Sequence, residues 1–426
     1  MTLRTSICTA LVAAITPTLA QAQDSVLTRL LISNRHAISV SGGRLDGRGG
    51  RLLVDEGKSA RFFLVGEEHG VAQTPAIVQA LLRELRPAGY NTFAIEVSPL
   101  QGERLDAIAR GPHASERLDA LSTSWFSAVP FYSLAEERAV LASAMTGQGA
   151  LPPMRIWGLD YDVSGDRLFL RELEALAPAS GRAAVQRARE LADSGFAAVS
   201  RPGRPDPSKL FAWSAPDSVF TALRAALGSK PPARARAVVD MFERTARINR
   251  LFLSGRVYES NLMRSGYLRE NFTQHFAAAD RGGAGSLTPR VLFKFGGSHM
   301  MRGWNYTHTL DIGTAATIIA ESRGERAFNV LILGGPGSKS TRMNIMTLQY
   351  DAQGNAEVDD DNVAWLHPAV ADSGWSLFDM RAVRLEYLRR RTPSLTPVQD
   401  RFLHAYDAIV VVRGSTPGTA RRLEVR

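Results

Sequence analysis

Four stretches of this sequence end in side chains that can move a proton. Arg61 to Gly70 reads RFFLVGEEHG, an apolar run that passes without a spacer into Glu67, Glu68 and His69. Asn91 to Val97 reads NTFAIEV and carries Glu96, while Met154 to Leu159 reads MRIWGL and runs straight into Asp160. Arg290 to Gly297 reads RVLFKFGG and is followed at once by Ser298 and His299. Carboxylates and imidazoles together suit the activation of water, through a general base or through a metal ion. Imidazole titrates near neutrality, and a neighbouring carboxylate fixes its tautomer and raises its basicity. No nucleophile accompanies them. The single cysteine is Cys8, and no serine stands in a G-x-S-x-G elbow. Hydrolysis by activated water is the chemistry these residues point to, with His69 as base or metal ligand. Glu96 is the second carboxylate, His299 completes the site, and Asp160 and Arg256 are supporting candidates, the latter for an anionic intermediate.

Each of these groups follows a short apolar run of the kind that fills a buried strand. In an open α/β sheet the carboxyl ends of strands splay apart and leave a crevice for ligands. After His69 the spacing predicts a helix, with Thr74 as its N-cap, Pro75 at its first position and Ile77, Val78, Leu81, Leu82 and Leu85 on one face. Strand, charged loop and helix then repeat at NTFAIEV, which places the first two acid-bearing strands parallel and adjacent. Ser133-Leu134-Ala135-Glu136 reads as a capping box that opens a helix to about Thr146. The fold class is α/β, a central, mostly parallel sheet flanked by helices, with a helical insertion at about 166–275. Pro231 to Leu253 is read as the longest helix of that insertion. The next helix, from about Val257 to Phe276, carries Arg256 at its start and Glu259, Met263, Arg264 and Tyr267 along it. Gly334 to Ser340 lacks the glycine before lysine of a phosphate-binding loop and reads as a turn. The stretch from Ser340 to Ser376 is turn-rich, with an acidic run at Asp359 to Asn362.

Apolar content of 45% with 22% charged residues is that of an ordinary globular chain. Residues 1–22 read as a secretory leader: Arg4, an apolar stretch from Ile7 to Pro17 too short to span a bilayer, and the small-residue site Ala20-Gln21-Ala22. The remaining 23–426 would form one domain without a thiol, in the periplasm or outside the cell, with no membrane span. The formal charge of +9 comes mostly from scattered arginines near acids, as in Arg167 to Glu174, so nucleic acid is not an expected partner. His36, His113, His275, His308, His367 and His404 stand in polar or helical contexts and read as surface histidines.

At Gly66 to Gly70 the sequence resembles the erythromycin esterase-like group and its wider superfamily, which also holds the Tiki and TraB-type proteases and the ChaN-like haem-binding uptake proteins. The resemblance continues in order through Glu96, the helix around Arg256 to Asn271, the late strand Val291 to His299 and the closing DAIVVVRGSTPGTA. It implies that Glu67, His69, Glu96 and His299 correspond to the esterases' site, where a histidine base and glutamates activate water to open a macrolactone. The esterase motif places one more residue between its glutamate and histidine, so either Glu67 or Glu68 matches it. Protease-type spacing fits Gly66 to His69 directly. The esterases carry two histidines on the late strand, and Gly296 stands where the first would be. The implied cofactor differs by branch. An esterase-like protein needs none, a protease-like one takes a divalent metal on Glu67, His69, Glu96 and His299, and a ChaN-like one takes haem or iron with Tyr161, Tyr258, Tyr267 and His299 as ligand candidates. The leading expectation is an exported hydrolase of an ester or amide bond in a small-molecule or peptide substrate, and the alternatives are the metalloprotease and the haem binder.

Overall fold

A computed structural model describes residues 26–125, 129–199, 206–281, 288–344, 349–359, 363–389 and 395–420. The leader and residues 360–362 of the acidic run lie outside them. The fold is mixed α/β around a nine-stranded sheet in the order β2-β1-β10-β11-β7-β3-β6-β4-β5. Six neighbouring strands run parallel: β11 (Ala408–Val412), β7 (Ala327–Gly334), β3 (Phe62–Glu67), β6 (Arg290–Gly296), β4 (Tyr90–Ile95) and β5 (Arg155–Gly158). Antiparallel β10 (Trp375–Asp379), β1 (Arg35–Ser41) and β2 (Arg44–Asp46) extend one edge. Every residue of β3 is buried. That matches its unbroken apolar run, because a central parallel strand has helices over both faces.

On one face the helix Gln73–Leu85 lays Ile77, Val78, Leu81, Leu82 and Leu85 against Phe63, Val65 and Phe93. On the other, the helix Val257–Asp280 is pinned by phenylalanines. Phe62 meets Phe272, Phe276 and Phe293 edge to face at 5.3–5.9 Å. Full burial of each such ring is worth about 1.5–3 kcal/mol, enough to fix how this helix crosses the sheet. The helices Asp166–Leu176, Arg182–Val199, Asp217–Leu227 and Ala233–Leu253 pack on a separate apolar cluster that includes Phe169, Phe220 and Phe242.

The structure departs from the sequence expectations in five places. The first two acid-bearing strands are parallel but not adjacent, because β6 lies between β3 and β4. A helical crossover fixes parallel direction but leaves room for one strand to be skipped. Thr74 is buried inside a helix that begins at Gln73 with no side-chain cap; the chain is held there instead by the N–H of Ala72 donating to the Thr416 carbonyl at 2.9 Å. Ser133 does not cap the helix Ala135–Met145, since its hydroxyl pairs with the Tyr350 hydroxyl at 2.6 Å. The turn-rich region holds an antiparallel hairpin, β8 (Lys339–Asn344) with β9 (Gln349–Asn355). The longest described helix is Val257–Asp280 at 24 residues, against 21 for Ala233–Leu253.

Candidate active site

Register brings the strand ends level. Glu67 stands opposite Gly296 on one side and Ile332 on the other, and Ile95 stands opposite Lys294. The chain therefore delivers Glu67, Glu96 and Asp160 to one rim, with the β6 terminus in their midst. At that terminus the short helix Gly297–Met300 turns His299 inward. The close turn depends on small residues. A Cβ on Gly66 would sit 3.1 Å from Gly297 Cα, and one on Gly296 would sit 2.9 Å from His69 Nε2. The His69 ring thus occupies the space that a side chain at 296 would need.

What results is an alternating row of acids and bases. Glu137 Oε2 lies 2.7 Å from Lys294 Nζ, which lies 2.6 Å from Glu67 Oε1. The same Glu67 oxygen is 3.0 Å from His69 Nδ1. His69 Nε2 is 3.5 Å from Glu96 Oε2, and Glu96 Oε1 is 3.4 Å from His299 Nε2. His299 Nδ1 is in turn 2.9 Å from Asp311 Oδ2. Glu96 also accepts from Arg264 Nη2 at 2.9 Å and from the Gly296 N–H at 2.8 Å, and Arg264 continues the row to Asp160 through Nε at 3.0 Å. Each imidazole has a carboxylate on Nδ1 and turns Nε2 toward Glu96 from its own side. With those carboxylates as partners, Nδ1 holds the proton in the neutral ring and Nε2 is left to react.

Burial would drive Glu67, Glu96, His69 and His299 toward their neutral forms, and their charged neighbours outweigh it. For Glu67, the Lys294 charge and the bond to His69 hold the carboxyl below its usual range. Burial is likewise overcome at Glu96, chiefly by the His299 charge and hydrogen bond. His299 is raised to about 10, because the Asp311 and Glu96 charges outweigh burial and the opposing Arg264. His69 is raised as well, by its bond to Glu67 and the charge of Glu96. Glu137 is pushed up to about 7 by burial and by the charge of Glu67.

Glu67 rather than Glu68 is the partner of His69. Successive strand side chains point to opposite faces, and the Glu68 carboxylate accepts from the Gly334 N–H at 2.9 Å and faces an adjoining chamber of about 280 Å³, which meets the main cavity at His69 and Phe131. Burial pushes its carboxyl up. Asp160 is at the site, through Arg264. Arg256 is not: it sits at the turn before the helix Val257–Asp280, exposed and paired with Glu259 at 3.0 Å. Arg264, two turns along, is the arginine that reaches the carboxylates. The haem-ligand candidates do not converge, since Tyr161 and His299 line the cavity while Tyr258 and Tyr267 do not. Nor do the residues fit a divalent metal. Among the described residues no three His, Cys, Asp or Glu side chains are grouped as donors, and Glu67 and Glu96 already face Lys294 and Arg264.

Sequence reasoning missed Lys294, Glu137 and Asp311. Lys294 left a signal, a lone cation inside RVLFKFGG, since a buried lysine needs a buried acid. Glu137 and Asp311 left none, because an acid in the first turn of a helix, as Glu137 is, or at a helix N-cap, as Asp311 is, is an ordinary placement.

The row floors a cavity of about 460 Å³. Its walls include Tyr161, Val163, Trp213, Ile248, Phe252 and Leu331. Phe131 stacks on His69, with centroids 3.9 Å apart and planes at 10°, on a left-handed backbone (φ 65°) that a bulky side chain rarely adopts. Gly70 is left-handed too (φ 79°), and a Cβ there would fall 1.8 Å from the Thr341 carbonyl oxygen. Gly70→Ala is expected to cost about 3 kcal/mol, combining the left-handed penalty with overpacking. A denaturant midpoint equal to the parent's would show that this close approach does not hold the hairpin against the site.

No known family matches the sequence, and no curated protein matches it. Solved structures do match in shape. A Bacillus cereus protein aligns with TM-score 0.57 at 12% identity, covering 94% of this chain and 99% of its own. A histidine-to-asparagine variant of erythromycin esterase EreC, in its open conformation, aligns with TM-score 0.57 at 15% identity, covering 87% and 94%. A succinoglycan biosynthesis protein aligns with TM-score 0.52 at 11% identity, covering 94% and 100%. No helix among the described residues is long and apolar enough to cross a membrane. In fold, this chain is therefore like erythromycin esterase EreC and these two structural relatives.

Proposed function

We propose that this protein is an exported hydrolase that activates water with His69 to cleave a carboxylic ester. The observation that carries the reading is the pair of carboxylate-backed imidazoles converging on Glu96 at 3.5 and 3.4 Å on the floor of a largely apolar cavity. In its neutral form His69 takes the proton of a water through Nε2, while Glu67 holds Nδ1–H. The hydroxide attacks the ester carbonyl. His299, held as imidazolium by Asp311, and Arg264 supply positive charge for the oxyanion. The proton on His69 then passes to the leaving alkoxide, and Glu96 keeps both rings aimed at one point. The fold shared with an erythromycin esterase supports the reaction class.

Purified protein should hydrolyse members of an aryl and alkyl ester panel and leave peptides intact. Turnover should survive prolonged chelation with EDTA, because cations of the chain already occupy the carboxylates. Peptide cleavage lost on chelation and restored by zinc would replace this reading with the metalloprotease. Export is proposed from the leader at 1–22, and N-terminal sequencing of secreted protein should begin near Gln23.

A further inference from the structure

We propose that the mouth of the cavity is built to rest on an anionic lipid surface, so that the esters reaching His69 are amphiphiles taken from an aggregated phase. The proposal rests on the hydrolase reading of the same cavity. The helices Ala233–Leu253 and Val257–Asp280 form a hairpin, and every residue of its tip, 252–258, is exposed. Four of them are large and apolar: Phe252, Leu253, Val257 and Tyr258. Leu262, one turn further, is 46% exposed. Apolar side chains gathered at a protruding tip mark a surface that meets something other than water.

That something is placed by continuity with the cavity. Ile248, Asn249, Ser260 and Arg264 of the same hairpin line the cavity, and Phe252 belongs both to the lining and to the exposed tip. The adjoining loop is tied to this hairpin, where Ser265 bonds Thr309 at 2.7 Å and Asp311 at 2.9 Å. From that loop Tyr306 lines the cavity and Trp304 stands 59% exposed. Tryptophan and tyrosine beside aliphatic side chains are the composition that settles at the headgroup level of a bilayer. The tip itself is electrically neutral, because Arg256 pairs with Glu259. Attraction comes from the chain as a whole, whose formal charge of +9, less the one unit that Arg4 carries in the leader, favours an anionic surface. A substrate lying in that surface would slide its apolar part past Phe252 and Tyr306 toward the polar floor.

Co-sedimentation with phosphatidylglycerol-containing and pure phosphatidylcholine vesicles tests this, alongside turnover of p-nitrophenyl butyrate and of a dispersed long-chain ester. The parent should sediment with the anionic vesicles. A variant carrying Leu253→Ser, Val257→Ser, Tyr258→Ser and Trp304→Ser should lose vesicle affinity by about tenfold or more. It should also lose long-chain turnover, while butyrate turnover stays within about twofold, which shows that the fold and floor are intact. Equal binding by parent and variant overturns the proposal, as does a parent that binds no vesicle. A concentration-dependent dimer that the variant dissolves also overturns it, since a second copy then covers the tip. Vesicle binding is read without turnover, so binding with neither ester hydrolysed would remove the hydrolase reading and leave the surface assignment standing.

Discussion

His69→Ala should lower kcat on an ester substrate by about 10²–10⁴-fold, the contribution of a positioned general base, with little change in the folded state. The fold survives because Glu67, left without its imidazole, keeps Lys294 at 2.6 Å and so is not an unpaired buried charge. Glu96 likewise keeps Arg264 and the Gly296 N–H. The effect should fall on kcat more than on KM, since His69 forms part of the floor and the apolar walls that hold the substrate are untouched. Undiminished turnover in His69→Ala, with normal thermal melting, would remove the mechanism.

The same residue sets the pH dependence. His69 must be neutral to accept a proton from water, and its value is raised above the ordinary 6.5 by Glu67 and Glu96. Activity should therefore be low in mild acid and rise as pH passes through that raised value, with the midpoint above 6.5. His299 must be charged to stabilise the oxyanion and stays so until about pH 10, where activity should fall again. Stability has the matching sign. Glu67, Glu96 and Asp311 are held below their ordinary values, so their contribution is present at neutral pH and is lost as pH falls through the depressed values. His299, raised on folding, contributes fully below its unfolded value and loses that contribution as pH rises through about 10. Glu67→Gln removes the bond that raises His69, so the acid limb of the rate profile should move to lower pH.

Much of this geometry was legible because the chemistry sits where a buried strand stops. Strand, charge and glycine are contiguous in RFFLVGEEHG, NTFAIEV and RVLFKFGG, and local pattern alone places Glu67, His69, Glu96 and His299 at strand ends. Strand order was not legible. Nothing within 61–97 says that a strand from residue 290 onward will separate the first two, since that order is decided by packing between segments far apart in the chain. The choice between Arg256 and Arg264 failed for a related reason. Both lie near the start of one helix, and only the angle at which Phe62, Phe272 and Phe276 seat that helix decides which guanidinium meets Asp160. Glu68 shows local geometry succeeding where motif matching left two options open, because side-chain alternation along the strand end turns it away from His69.

Lys294→Met should destabilise the protein by about 3–5 kcal/mol, the cost of breaking a buried ion pair by removing one partner. Methionine nearly matches the lysine in length, so the loss is electrostatic rather than a packing defect. Without the ammonium, Glu67 and Glu137 are left as two acids in a site where neither is more than 2% exposed. They cannot both stay charged there, and Glu137, already pushed to about 7 by burial and by Glu67, takes the proton. Its folded value then rises further above the unfolded one. A carboxyl raised on folding favours the native state most at low pH and loses that advantage as pH climbs toward the folded value. Denaturant midpoints of Lys294→Met should therefore lie nearest the parent's at pH 5 and furthest below them at pH 8. Adding Glu137→Gln removes the second charge and should recover part of the loss at pH 8. Lys294 also opposes the charged form of His69, so the acid limb of the remaining activity should shift upward in pH. A loss of stability equal at pH 5 and pH 8, unrelieved by the second substitution, would mean that Lys294 fills space in the sheet and does not hold the two carboxylates apart.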